Sequence, residues 1–196
     1  MYYFLSPKLV YWKGDIVSAE LVSEPPRSYE LNWWYGSSLN NDLHEFVFSV
    51  IDKAPVLDNY WTGNVFSLYS NRLVNILRRF DIKFETFPSR IVSRETGSIL
   101  LLNYQVFRLT DISEVLNEKK SKFKTLSIGG RKTKLLDSPS FTEKFLRSKI
   151  MLTRISGYEK HIVVHENLKK IIEDERITGC DFVERRLNES SIFHRS

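Results

Sequence analysis

Two histidines and the single cysteine are the side chains best suited to chemistry. His161 and His165 stand four residues apart, a spacing that lets two histidines on one face of a helix bind a single metal ion. The apolar run 162–164 between them predicts a strand instead, and four residues of a strand span about 13 Å, too far to share an ion. Cys180 would need a nearby base to act as a nucleophile, whereas a lone cysteine beside an apolar strand is usually a small packed residue. We expect neither a metal site nor a catalytic cysteine.

Two further patterns are weak candidates for catalysis. Glu173, Asp174 and Glu175 could supply a general acid and a general base, but consecutive residues of a helix point in different directions and form a solvated face. Gly129 and Gly130 precede two basic residues, yet the spacing of a phosphate-binding loop is absent. The sequence predicts a protein that is not an enzyme and uses no cofactor. An uncharacterised small enzyme is kept as an alternative.

Charge is distributed unevenly along the 196 residues. The net charge of +5 combines −4 in residues 1–60 with +9 in residues 61–150. In the densest stretch, Lys119 to Lys149, ten basic residues accompany two acidic ones. Such a stretch is typical of a surface that contacts an anionic partner. A nucleic-acid-binding module built on residues 119–149 is therefore the main alternative function, although only Phe123 interleaves with the lysines and no recognition motif is present.

Aromatic residues cluster in the acidic part of the chain. Interpreted as a strand, SYELNWWYG (28–36) would send its alternate aromatic rings to opposite faces, so at least one ring should be exposed or should pack under a loop. Aromatic and arginine side chains provide most of the binding energy at protein interfaces. We therefore predict two candidate contact patches, one acidic and aromatic and the other a basic loop. Their residues are Trp33, Trp34, Tyr35, Asp42, Glu45, Arg131 and Lys132.

Two stretches 95 residues apart, 65–88 and 160–183, share one apolar pattern. Each begins with an apolar run, continues with apolar residues at helical spacing and ends on a second short run, which predicts a duplicated strand–helix–strand unit. Ser70 is well placed to cap the first helix. His165, at the equivalent position, is a poorer cap, and Glu166 should assist it by meeting the helix dipole.

The two strand–helix–strand units and the other predicted elements together predict an α+β fold. We expect two related strand–helix–strand halves with mixed or antiparallel sheets, packed as one compact body: a single domain over 1–196 with possible halves 1–110 and 111–196. The remaining predicted elements are strands at 2–12, 15–22, 45–51 and 149–155, a hairpin with its turn at 95–98, a short helix capped by Asp111, a loop or ragged hairpin over 119–140, and a helical turn at 141–146.

Composition indicates a globular cytoplasmic protein. Apolar residues make up 42% of the chain, and one cysteine excludes an internal disulfide framework. The first residues lack the pattern of a secretory signal. No apolar run approaches the roughly 18 residues that span a bilayer, so we expect no membrane association.

Several of these segments resemble a family of bacterial immunity proteins from polymorphic toxin systems. The similarity lies in residues 150–182, in NVFSLYSNRLVNILRRFDIKFETFP (64–88), and in MYYFL (1–5) and YELNWWYG (29–36). The chain departs from the pattern at His165, where the analogy with Ser70 predicts a small hydroxyl residue. The resemblance implies an α+β protein whose partner is a cognate toxin domain, bound and neutralised by stoichiometric contact during bacterial competition.

Such a function needs an interface rather than a reaction, with about 1,200–2,000 Å² buried in total. An inhibitor that imitates nucleic acid should be strongly acidic. This chain is basic overall, so we do not expect a nuclease held by global mimicry of its substrate. The sequence leaves open the activity of the toxin, the surface that binds it and the oligomeric state.

Overall fold

The computed structural model describes residues 1–34, 39, 44–128 and 131–184, and strands predominate over helices among them. The fold is α+β, as expected. The helices are α1 (Arg27–Asn32), α2 (Asn71–Leu77), α3 (Glu143–Leu146) and α4 (Glu166–Asp174). The strands are β1 (Tyr2–Pro7), β2 (Tyr11–Trp12), β3 (Asp15–Ile16), β4 (Glu20–Leu21), β5 (Phe46–Val50), β6 (Asn59–Tyr60), β7 (Ser67–Ser70), β8 (Phe84–Ser93), β9 (Ile99–Leu109), β10 (Ile112–Ser113), β11 (Lys122–Ile128), β12 (Arg131–Ser138), β13 (Leu152–Ile155), β14 (Tyr158–His165) and β15 (Cys180–Val183).

Two mixed sheets contain most of these strands. The larger has six strands in the order β4-β5-β8-β9-β7-β6, and β5 and β8 pair in parallel. The smaller has five strands in the order β10-β13-β14-β1-β15, and β10 and β13 pair in parallel. β1 therefore lies between two strands from the far end of the described chain. The hairpins β2–β3 and β11–β12 lie outside both sheets.

The two similar stretches each contain a strand, a helix and a second strand, β7–α2–β8 in one and β14–α4–β15 in the other. In both, the two strands run parallel with one antiparallel strand between them. That middle strand is β9 in the larger sheet, directly after β8, and β1 in the smaller sheet. Shared topology does not by itself establish common descent, so the duplication stays a prediction.

Both helices begin at the predicted cap. The Ser70 Oγ accepts a hydrogen bond from the Leu73 backbone N–H at 3.2 Å, which confirms this cap. At α4, the His165 Nδ1 accepts from the Asn167 N–H at 3.1 Å, so an imidazole takes the role of the expected hydroxyl. The apolar faces of the two helices share one buried cluster, which contains Leu73, Val74, Ile76, Leu77, Leu168 and Ile172.

Three apolar clusters hold the described layers together. The first lies on one face of the larger sheet and contains Phe46, Phe48 and Trp33. The second joins both sheets through α2 and α4. The third lies on the opposite face of the smaller sheet and includes Phe4 and Phe145.

A polar junction fixes α2 against the loop before β15. The Asp58 carboxylate accepts from the Ser70 hydroxyl at 2.6 Å and from the Thr178 N–H and hydroxyl at 2.9 and 3.0 Å. The residue after Asp58, Asn59, donates from its backbone N–H to the Thr178 carbonyl at 3.2 Å. Gly179 completes the junction at φ +77°, where an added Cβ would lie 2.1 Å from the Asn59 carbonyl oxygen.

The predicted strands over 2–12 and 15–22 are each interrupted, because the first divides into β1 and β2 and the second into β3 and β4. Two other local predictions are wrong. Residues 28–34 do not form a strand, because α1 occupies Arg27–Asn32, directly after Pro26. Asp111 caps no helix, because Ile112–Ser113 instead forms β10 and pairs with β13. The hairpin over 95–98, the strand within 45–51, the turn of helix within 141–146 and the strand within 149–155 are confirmed.

Candidate functional site

The segment that follows α1 is held by two buried arginines. Trp33 is 2% exposed, and its ring meets that of Phe66 edge-on at 4.6 Å. Arg108 on β9 donates from Nε to the Trp33 carbonyl at 3.1 Å, and Arg154 on β13 donates from Nη1 to the same oxygen at 3.1 Å. Arg154 also donates to the Trp34 carbonyl at 3.3 Å. Carbonyls at a helix C-terminus lack partners within the helix, so these long-range bonds fix both tryptophans in place.

The charges of the two arginines are balanced differently. Arg108 donates from Nη1 to the Glu85 carboxylate at 2.6 Å and from Nη2 to the Asn32 carbonyl at 3.1 Å. Arg154 is 2% exposed, and its hydrogen-bond partners among the described residues are carbonyl oxygens. Burial, and then repulsion from Arg108, lowers the pKa of Arg154 to about 10, and the carboxylates of Glu159 and Glu85 partly oppose this shift. Arg154 is therefore still a cation at neutral pH, and an anion that reached it would relieve the cost of burying its charge.

A pocket of about 240 Å³ has Arg154 in its wall. Trp33, Trp34 and Trp61 also line it, and Lys160 provides a second cation. Trp61 is 39% exposed, and the Arg154 guanidinium lies 5.6 Å from the centre of the half-buried Trp34 ring. The rest of the lining comes from the loop 62–66 and from strands of both sheets, β6, β7 and β9 of the larger and β1 and β14 of the smaller. The described lining contains no aspartate or glutamate.

Comparison with known families decides the class of protein. The family described as immunity protein 43 matches residues 32–189, a range that contains Trp33, Trp34, Trp61, Arg154 and Lys160. The chain belongs to the immunity protein 43 family. The resemblance to immunity proteins is thereby confirmed, and with it a general role in toxin neutralisation. No curated protein matches the chain.

In this immunity protein the acidic and aromatic patch is divided. Trp33 and Trp34 lie at the pocket. Glu45 lies just before β5, on the larger sheet, where its carboxylate forms an ion pair with Arg90 at 2.8 Å. Tyr35 and Asp42 lie outside the described residues.

The basic patch lies on the β11–β12 hairpin. Arg131 and Lys132 belong to β12, where the structure describes their backbone only. Nearby on the hairpin, Lys124 forms an ion pair with Asp137 at 2.7 Å. The role of both patches in binding stays a prediction.

The two histidines and the cysteine weighed for chemistry make structural contacts in this immunity protein. His165 caps α4, and the His161 ring meets Phe4 edge-on at 5.7 Å. Burial raises the pKa of the Cys180 thiol to about 12, so a thiolate nucleophile is disfavoured at neutral pH. Within the described ranges, no three His, Cys, Asp or Glu side chains group as a metal site. No described helix has the length and apolar character needed to cross a membrane.

Sequence reasoning missed Arg154, Arg108 and Trp61. A signal was present for the arginines, because each interrupts an otherwise apolar strand, KIMLTRI for Arg154 and QVFRL for Arg108. Charged side chains are rarely fully buried without a partner. A charge inside such a run therefore indicates either an exposed edge or a long-range polar contact, and here it indicates the contact. Trp61 carries no such signal, since it stands alone between β6 and a turn.

Proposed function

We propose that this chain neutralises one cognate toxin domain in the bacterial cytoplasm by stoichiometric protein contact, without chemistry, and that the pocket at Trp34, Trp61 and Arg154 receives a side chain of the toxin. The observation that carries the proposal is that half-exposed tryptophan lies in one concave site with a buried arginine whose hydrogen-bond partners are backbone carbonyls. Tryptophan and arginine in desolvated pockets are the residue types that most often dominate binding energy.

The rigidity of the pocket supports this role. Trp34 is anchored through its backbone carbonyl by Arg154, and strands of both sheets line the pocket together with the loop 62–66. A preformed site loses less conformational entropy on binding than a loop that must become ordered. The volume of about 240 Å³ lies below the usual range for small-molecule sites, roughly 300–1,000 Å³. It suits an inserted side chain better than a cofactor.

The basic hairpin supports the nucleic-acid alternative less well. The Phe123 ring stacks on Tyr158 at 5.7 Å, and the Lys134 ammonium lies 3.8 Å from the centre of the same ring. Phe123 is therefore engaged within the protein rather than free to stack on a base.

The experiment is neutralisation of the toxin domain encoded beside this chain. We expect co-expression to restore growth and calorimetry to give a one-to-one complex. Trp61→Ala should weaken binding at least about tenfold, because truncating an interface anchor costs more than about 1.4 kcal/mol. Tyr11→Ala is the matched control, since Tyr11 is 64% exposed and lies outside the pocket lining. It should change affinity by less than about threefold.

Two outcomes would contradict the proposal at different levels. A wild-type protein that neither binds the toxin nor restores growth would refute the function. Full affinity of the Trp61→Ala variant would refute the pocket as the contact site while leaving the function intact. Salt-sensitive binding of labelled RNA or DNA, with no toxin complex, would favour the alternative instead.

We also propose that the stretches 65–88 and 160–183 derive from one duplicated unit. Support comes from their equal strand–helix–strand order, their caps at equivalent positions and their shared buried cluster. Family members in which the two stretches are more alike than here would strengthen the proposal. Members that lack the helix in one stretch would contradict it.

A further inference from the structure

We propose that the ligand of the pocket is a carboxylate, supplied by an aspartate or glutamate side chain of the toxin that inserts between the tryptophans and reaches Arg154. This inference rests on the proposed function and specifies the chemistry of the partner.

The first argument is the charge balance around the two buried arginines. Arg108 and Arg154 both donate to the Trp33 carbonyl, yet Glu85 pairs with Arg108 only. Glu159 and Glu85 act on Arg154 electrostatically, since each raises its pKa, but neither hydrogen-bonds to its guanidinium. Arg154 is thus a buried cation whose hydrogen-bond partners are neutral carbonyls, and a buried cation with a hydrogen-bonded counter-ion is far less costly than one without.

The second argument is the unused donors of Arg154. Its hydrogen bonds to described residues all leave from Nη1. The Nε and Nη2 groups form the edge of the guanidinium fork, which matches the two oxygens of a carboxylate in a bidentate pair. Because Arg154 is 2% exposed, such a pair would form away from bulk water, where screening by salt is weak.

The third argument is the lining of the pocket. Lys160 is exposed and adds positive charge, and no acidic residue of the described lining competes for the ligand. Trp34 and Trp61 offer apolar surface for the short aliphatic stem that carries a side-chain carboxylate. A carboxylate on such a stem satisfies both parts of the site. Free phosphate would use only the cations.

The test compares toxin affinity of wild-type protein with that of Arg154→Gln. Glutamine keeps a polar amide in the site but carries no charge, and its amide nitrogen ends two bonds short of the position of Nη1. Loss of one partner of a buried charge pair lowers affinity by roughly 30-fold or more. Arg94→Gln is the control, because Arg94 is an arginine whose ion pair with Glu20 lies outside the pocket and both candidate patches. It should change affinity by less than about threefold.

A double-mutant cycle identifies the partner carboxylate. Each exposed Asp or Glu of the toxin is replaced by Asn or Gln in turn. One replacement should weaken binding as much as Arg154→Gln does, and the two changes together should weaken it little further. If Arg154→Gln unfolds, Arg154→Lys takes its place. The loss of the fork should then lower affinity about tenfold.

The outcomes separate this inference from the proposed function. If wild-type protein fails to bind the toxin, the function itself is refuted. If wild-type protein binds and the Arg154 variants bind equally well, or no toxin carboxylate couples to Arg154, the carboxylate inference alone is overturned. Binding of an oligonucleotide that is abolished by Arg154→Gln would overturn it too, since the site would then recognise phosphate.

Discussion

Replacing Gly179 with alanine should destabilise the protein far more than the same change at Gly157. Both glycines have φ +77°, a conformation that costs an L-residue about 1–2 kcal/mol. At Gly157 no atom lies within 4 Å of the added Cβ, whereas at Gly179 the Asn59 carbonyl oxygen lies 2.1 Å away. Because this oxygen belongs to the backbone, a side-chain rotation cannot relieve the clash.

The extra cost follows from the hydrogen bonds that must yield. The Asn59 N–H donates to Thr178 at 3.2 Å, and the Lys8 N–H donates to Gly179 at 2.8 Å. Moving the two backbones apart would weaken both bonds, each worth about 0.5–1.5 kcal/mol. We therefore expect a loss of about 2–5 kcal/mol for Gly179→Ala, against about 1–2 kcal/mol for Gly157→Ala.

Urea unfolding of both variants under identical conditions measures the two losses. Equal slopes of free energy against urea would show that the shift in midpoint is a change in stability rather than in the denatured state. The difference between the variants isolates the clash, because the backbone angle is the same. Equal destabilisation of the two variants would refute the close approach of Gly179 to Asn59.

Two further predictions concern the helices. Burial lowers the pKa of His165, with a further lowering by the amino terminus and an opposing rise from Glu166. The neutral His165 ring caps α4. The contribution of this cap to the stability of the protein should therefore be complete above about pH 6.5 and should fall as the pH drops through the folded-state pKa. The fall should be up to about 1 kcal/mol larger than in a His165→Ser variant, measured by urea unfolding at pH 7.5 and 5.0; parallel pH profiles would contradict this. Leu77→Ala should cost about 2–5 kcal/mol, because Leu77 is 1% exposed in the core, whereas Arg78→Ala on the exposed face should stay within about 0.5 kcal/mol. Similar unfolding midpoints for those two variants would show that α2 does not bury the predicted face.

Local patterns predicted the elements whose determinants are local. Ser70 caps α2 because its hydroxyl bonds the backbone three residues on, and such a contact can be found from sequence. The hairpin between β8 and β9 has its turn signal in the sequence as well. Residues 112–113 were predicted as helix because their apolar spacing is helical. Their actual conformation depends on pairing with β13, about forty residues away, which no local pattern contains.

The pocket was predictable only in part, for the same reason. Trp33 and Trp34 can be selected from the sequence because tryptophan often provides binding energy at interfaces. Their position depends on Arg108 and Arg154, whose hydrogen bonds to them cross 75 and 121 residues of sequence. The pairing of two distant arginines with one carbonyl is a property of how the sheets meet. The sequence shows the charges within apolar runs but not the partner they reach.

The placement of β1 has a consequence for synthesis on the ribosome. β1 pairs with β14 on one edge and β15 on the other, so one edge lacks its partner until about residue 165 has been translated and the other until about residue 183. At roughly 5–20 residues per second, both edges stay uncovered for about 10–30 s. An apolar strand with two open edges invites pairing with other chains, so chaperone demand during translation should be high. A rearranged gene that encodes β1 after β15, as β9 follows β8, would shorten this exposure to the time needed for one hairpin.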